Sequence, residues 1–303
     1  MKELSPRRST LLLIALITMW GMSWPIYKIA LSYTPPILFG GMRTFIGGVL
    51  MAAVIFPRYR EIRLKQMWRI YLISALFNTF LFYGLQTVGL WYVPEGLFTV
   101  IVYLQPVLIG VLAWLWLGER LTVQKMIGLL LGFAGVTVIS ITGLSGHISA
   151  IGIVLALGSA ISWAIGTVYV KKVGNQVDAF WLVAIQCIIG GLAMTAIGLG
   201  TEHWSSIIWN QQYLTGLMYG SIFGIPISWA VFYTLVRAGD VSKVASFTFL
   251  VPLLAVVLGF LFLHEEVTIS LLFGLVFIAT SIYLVNRTSK TSLSTGERKE
   301  FGA

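Results

Sequence analysis

Eight stretches of the chain, 9–27, 70–94, 96–118, 126–170, 179–201, 203–236, 244–264 and 267–286, contain no Asp, Glu, Lys or Arg. A membrane-spanning helix needs about 20 mostly apolar residues, and each stretch supplies roughly that length or more. The stretch 126–170 has room for two spans, with the turn residues Thr142-Gly143-Leu144-Ser145-Gly146-His147 at its middle. Residues 36–57 supply another span, interrupted only by Arg43. The expectation is an all-α polytopic membrane protein with ten transmembrane helices. Composition agrees. Hydrophobic residues make up 58% of the chain and charged residues 10%, against about 25% charged in soluble domains. So little charge cannot cover the surface of a soluble fold, so the solvent is lipid.

The net charge of +9 raises nucleic acid as a partner, but its placement argues for membrane topology instead. Basic residues occur at Lys2, Arg7 and Arg8, then between the second and third spans at Arg58, Arg60, Arg63, Lys65 and Arg69. They recur at Arg120 and Lys125, Lys171 and Lys172, Arg237 and Lys243, and in the tail at Arg287, Lys290, Arg298 and Lys299. Those are eighteen of the 20 Lys and Arg, all on one side of the expected spans, and the alternate connections carry none. The positive-inside rule places both termini in the cytoplasm. The protein is expected in the prokaryotic inner (plasma) membrane, with the lipid bilayer as a partner and no nucleic acid. The apolar run from Ser9 to Tyr27 has no small-residue cleavage site and reads as a retained helix. The polar tail is expected to be disordered.

The chain also repeats itself. Tyr103-Leu104-Gln105-Pro106-Val107-Leu108 and Leu117-Gly118-Glu119-Arg120-Leu121-Thr122 return as Phe249-Leu250-Val251-Pro252-Leu253-Leu254 and Leu263-His264-Glu265-Glu266-Val267-Thr268, at an offset of 146. Arg43, Gly47 and Gly48 align with Gln186, Gly190 and Gly191 at 143, and Ser23-Trp24 with Ser162-Trp163 at 139. The expected organisation is a cytoplasmic segment 1–10, repeats 11–142 and 150–286, and a cytoplasmic tail 287–303. A repeat of five spans must invert in the membrane. Inverted repeats are the architecture of alternating-access carriers, which bind substrate near the midplane between the halves.

On the corner from Pro106 to Thr122, its echo from Pro252 to Thr268, Arg43 and the pair Trp20-Gly21, the chain resembles the ten-helix EamA family of the drug/metabolite transporter superfamily over roughly residues 11–286. The resemblance implies efflux of amino acids, metabolites or toxic compounds. The sequence departs from internal symmetry where His264 replaces Gly118 and Gln186 replaces Arg43.

A charged side chain inside a span is a functional candidate by default. Arg43 lies about 10 Å below the outer end of its span at about 1.5 Å per residue. It could grip a substrate carboxylate, partner a gate, or snorkel and tie helices together. Lys28 ends the first span and Glu95 opens the fourth at the same depth, which makes Lys28, Arg43 and Glu95 candidates for an outer gate. Trp20, Trp24, Tyr27 and Lys28 share one helix face. With Trp163 they are candidates for an aromatic cavity wall, the alternative being packing between helices. Tyr83, Gln86, Gln105, Gln186 and Trp229 complete the candidate substrate-binding set, although hydrogen bonding between helices also accounts for such polar residues. Gln105 is preferred because it adjoins Pro106, and Pro25, Pro106, Pro226 and Pro252 are expected to lie inside helices as kinks. Gly216, Gly220 and Gly224, and Gly128 and Gly132, are spaced for close helix packing within one chain or at a dimer face, so the protein is read as monomer or homodimer.

No phosphate-binding glycine loop, paired-histidine motif or clustered acids appear, so no catalytic residues, metal or cofactor are expected. The lone Cys187 reads as packing. Without a carboxylate at midplane depth, facilitated exchange or export down a gradient is favoured over proton coupling. The cavity charge favours amino acids or related metabolites as the small-molecule substrate. Efflux of toxic amphipathic compounds is the alternative, and a membrane-embedded enzyme or sensor the competing class.

Overall fold

The computed structural model describes residues 4–90, 92–93, 95–140, 149–263 and 269–287, and every regular element among them is helical. The elements are α1 (Pro6–Leu31), α2 (Pro36–Ile55), α3 (Leu64–Gly89), α4 in two pieces (Glu95–Val102 and Gln105–Leu117) and α5 (Val123–Ile139). They continue as α6 (Ala150–Val173), α7 (Ala179–Thr201), α8 (Gln211–Ala238), α9 in two pieces (Val241–Phe247 and Leu250–Leu263) and α10 (Ile269–Asn286). Among the described residues, eight helices are long and apolar enough to cross a membrane, and α5 and the start of α9 form shorter apolar helices. The turn at 142–147 and the tail beyond 287 lie outside the described residues.

Helix α1 begins at Pro6, inside the segment expected to precede it. Ser5 is the cause: its Oγ accepts from Arg8 N at 3.4 Å, and Pro6 takes the first helical position, where its missing N–H has no intrahelical partner to lose. Large apolar side chains on the outside are open, Val54 at 78% and Ile269 at 73% exposure, as a lipid-facing surface requires.

Lipid is as apolar as the side chains, so helices hold together by close packing and internal hydrogen bonds rather than by burial from water. Glycines set the two broadest helix contacts. Helix α2 packs on α7 through a reciprocal pair. A methyl at Gly48 would sit 2.7 Å from Ile188 N, and one at Gly191 would meet Phe45 N and Thr44 C. Helix α5 packs on α10, where Gly128 faces Leu284 and Val285, and Gly135 and Gly274 approach each other's carbonyls. Of the glycines expected from spacing, Gly128 and Gly132 pack on α10 and Phe249, and Gly216 packs on Ala30 of α1.

The two halves share their irregularities. Helices α3 and α8 each contain a wide π-helical turn, Ala75–Leu81 and Gly220–Ile227. Helices α4 and α9 each break, at Tyr103–Leu104 and at Thr248–Phe249. The breaks correct the expectation for two prolines. Pro25 and Pro226 do lie inside helices. Pro106 and Pro252 instead fall in the first turn of a new piece, where first-turn N–H groups have no helical partner to lose.

Candidate functional site

A cavity of about 110 Å³ lies in the middle of the bundle, reached by α1, α2, α3, α4, α6, α8 and α9. Its wall is aromatic. Trp20 meets Trp163 edge-on at 5.6 Å and Trp229 at 6.1 Å, and Phe82 packs on Trp163 at 4.7 Å. The wide turns of α3 and α8 lead directly into this wall, since Phe82 and Tyr83 follow one and Trp229 follows the other. Ser228 Oγ folds back on the carbonyls of Gly224 and Ile225 at 2.8 and 3.0 Å and accepts the Trp20 indole N–H at 2.9 Å. Trp229 Nε1 donates to Tyr83 Oη at 2.9 Å. Two of the three indoles are thus satisfied inside the protein.

Arg43 supplies the charge. Its guanidinium carbon lies 4.1 Å from the Tyr27 ring centroid, 5.2 Å from Phe39 and 5.5 Å from Tyr83. Such cation–π contacts are worth about 0.5–2 kcal/mol each and make a cation tolerable at this depth. Tyr27 reaches Arg43 because Gly220 and Gly224 carry no side chain. A methyl at Gly224 would overlap the Tyr27 hydroxyl, and one at Gly220 would lie 3.0 Å from Arg43 Cδ.

The cavity wall holds three buried polar atoms without a partner, one of them in the Arg43 guanidinium, and its remaining polar groups are hydroxyls, the two bonded indoles and the Gln86 amide. Arg43 Nε, Tyr27 Oη and Trp163 Nε1 are buried without a hydrogen-bond partner. No Asp or Glu is among the described residues that line it. A buried unsatisfied donor costs about 1–3 kcal/mol, so three in one wall constitute a strong preference for an acceptor-bearing guest.

The structure sorts the sequence candidates. Trp20, Arg43, Tyr83, Gln86, Trp163 and Trp229 line the cavity. Gln105 and Gln186 do not. Gln105 is fully buried and donates to Thr248 Oγ1 at 3.0 Å, pinning the break in α4 to the break in α9. Gln186, also fully buried, accepts from Tyr233 Oη at 2.9 Å. Lys28 is exposed near the end of α1, and the side chains of Trp24 and Glu95 lie outside the described residues. Sequence reasoning named Tyr27 on the candidate cavity-wall face but not in the substrate-binding set, and it missed Ser23, Phe98 and Thr99. The glycines of α8 were the available signal for Tyr27, since a run of missing side chains must be filled by a neighbour's ring.

A polar joint closes the basic end. Glu119, at the α4–α5 corner, accepts from Val241 N and Ser242 Oγ, both at 2.7 Å, and so caps α9 in the other half. Lys125 lies 3.5 Å from Glu119 and 3.7 Å from Asp240. Lys171 Nζ donates to the carbonyls of Arg237 and Gly239 at 3.0 and 2.7 Å.

The profile of the EamA-like transporter family matches the chain twice, at residues 7–141 and 150–287. The chain is 56% identical to "Uncharacterized transporter YvbV" of Bacillus subtilis (strain 168), over 96% of this chain and 95% of that one. It is 25% identical to the "Probable amino-acid metabolite efflux pump" of Escherichia coli (strain K12), over 92% of this chain and 94% of the relative. A protein of known crystal structure shares the fold with a TM-score of 0.81 at 20% identity, covering 93% of this chain and 97% of that one.

Proposed function

The chain belongs to the EamA-like transporter family, and from that premise we propose that it is a secondary carrier exporting small organic carboxylates, amino acids or related metabolites, by alternating access. Ten spans in two inverted halves, with the basic connections and both termini in the cytoplasm, are the arrangement this mechanism uses. The carrying observation is a wall with one guanidinium and, among the described residues, no carboxylate, in which Arg43 stands among three aromatic rings beside the unpartnered Tyr27 hydroxyl and Trp163 indole. A carboxylate is the acceptor such a wall suits, since hydrogen bonds to charged groups contribute about 1.5–3 kcal/mol. The indole and phenyl rings suit an apolar side chain behind it. At about 110 Å³ the cavity is below the roughly 300–1,000 Å³ of open ligand sites.

The aromatic wall also favours a second reading, efflux of toxic amphipathic compounds, for which the ring surface rather than Arg43 would carry binding. Purified protein in liposomes separates the two. Labelled L-leucine should enter saturably and faster when unlabelled L-leucine is inside, and lipophilic cations should not. Counterflow of the cations without any amino acid would leave the efflux reading standing and remove the first.

A further inference from the structure

We infer a second binding site, for a small organic carboxylate carrying an ammonium group, in a recess at the basic end of the bundle, with Arg237 as its recognising residue. The recess measures about 560 Å³, several times the central cavity, and Arg60, Glu61, Arg63, Asn175, Asp178 and Arg237 are among its lining residues.

Arg237 is only 7% exposed. Its Nη1 donates to the Val177 carbonyl at 2.9 Å, while Nε and Nη2 have no partner. The bonded nitrogen holds the plane of the guanidinium. The two unpartnered ones share its side edge, where their N–H bonds run parallel, the fork that accepts both oxygens of a carboxylate. The protein's own acids do not fill it. Among the described residues no carboxylate oxygen lies within ion-pair distance of Arg237. Asp178 Oδ1 is engaged at the start of α7, accepting from Phe180 N and Trp181 N at 2.9 and 3.0 Å. Nε and Nη2 carry three of the five N–H groups and are themselves shut off from solvent; a buried cation so little paired is costly, and a planar anion that displaces the side chain toward the recess relieves that cost.

The lining carries both signs, Arg60, Arg63 and Arg237 beside Glu61 and Asp178, and the two acids offer an ammonium the acceptors it needs. A zwitterionic amino acid satisfies both signs at once. The recess and the central cavity lie along one helix. Helix α8 presents Trp229 to the cavity and Thr234 and Arg237 to the recess, with Phe232 and Tyr233 packed between. Cargo held at Arg237 stands about two helical turns from the aromatic wall at about 1.5 Å per residue. The site is then a staging post ahead of the central one. Only that ordering, and not the binding itself, rests on the carrier reading.

The test is equilibrium binding of labelled L-leucine to the full chain in phosphatidylcholine nanodiscs, on an Arg43→Gln background that disables the central site. The expectation is one bound leucine per chain, displaced by isocaproate and not by isopentylamine or inorganic phosphate. Arg237→Lys, which keeps a donor for the Val177 carbonyl, should weaken binding at least about tenfold, as loss of a bidentate charged pair implies. A readout independent of that variant is amide exchange at 174–179, which leucine should slow in Arg43→Gln protein. No residual binding in Arg43→Gln, unchanged binding in Arg237→Lys, no slowing of exchange, or displacement by phosphate as effective as by isocaproate overturns the site. Tighter leucine-free protection of 174–179 in phosphatidylglycerol nanodiscs than in phosphatidylcholine makes it a lipid-headgroup seat and overturns it too. Leucine binding retained in Arg43→Gln but no leucine counterflow in the wild type refutes the carrier reading and leaves this site intact. Counterflow without residual binding does the reverse.

Discussion

Arg43 and Gln186 occupy equivalent positions in the two halves, beside the glycines that let α2 and α7 cross, yet they do different work. Arg43 faces the cavity among aromatic rings, with its Nε unpartnered. Gln186 is fully buried outside the cavity lining, with Tyr233 donating to its Oε1 and its own Nε2 unpartnered. One half keeps a group that seeks a guest, and the other turns the same position into a joint. With the charge in one half only, the cavity is asymmetric in charge, and aromatic rings stand on both sides of it.

That contrast can be broken by substitution. Arg43→Gln makes the two halves alike. It should lower kcat/KM for carboxylate cargo about 10- to 100-fold, from the roughly 1.5–3 kcal/mol of a charged hydrogen bond, while the protein still elutes as a folded species. Glu119→Ala attacks a joint of the Gln186 kind at the basic end. It strips the cap from α9 and leaves Lys125 with Asp240 alone. The expected cost is about 2 kcal/mol, less than the loss of an isolated buried pair, seen as a lower thermal midpoint in detergent. Tyr233→Phe removes only the bond to Gln186 and should cost about 1 kcal/mol, with counterflow changed less than about twofold. Trp163→Phe has the smallest expected effect on stability. It deletes an unpartnered N–H and keeps a ring, so the thermal midpoint should hold or rise slightly while cargo affinity falls about threefold, by roughly half a charge-assisted bond. Transport loss in Tyr233→Phe comparable to that in Arg43→Gln would erase the distinction between joint and site.

The helical class, the doubling and the glycine contacts were legible because each leaves a pattern in one dimension: missing charge, a constant offset, a four-residue spacing. The breaks in α4 and α9 were not. Both helices run on without a charged residue across the break, so no interruption shows there, and the prolines that mark it suggested kinks instead. Within the site, Arg43, Trp20 and Trp163 stood out as a charge and large rings at depth. Gln105 and Gln186 looked the same from sequence and proved to face other helices, because an amide in lipid signals only that a partner exists and not whether it is a helix or a guest. The recess around Arg237 was hidden for a third reason. Basic residues at that end were already accounted for by membrane orientation.

The most direct test of the central claim is labelled L-leucine counterflow into proteoliposomes, run on wild-type and Arg43→Gln protein side by side, with isocaproate or isopentylamine as competitor. A carboxylate grip at Arg43 predicts that isocaproate inhibits the wild type, that isopentylamine does not, and that the variant transports at a small fraction of the wild-type rate. Inhibition by the amine, or a folded Arg43→Gln protein carrying leucine at the wild-type rate, would contradict it.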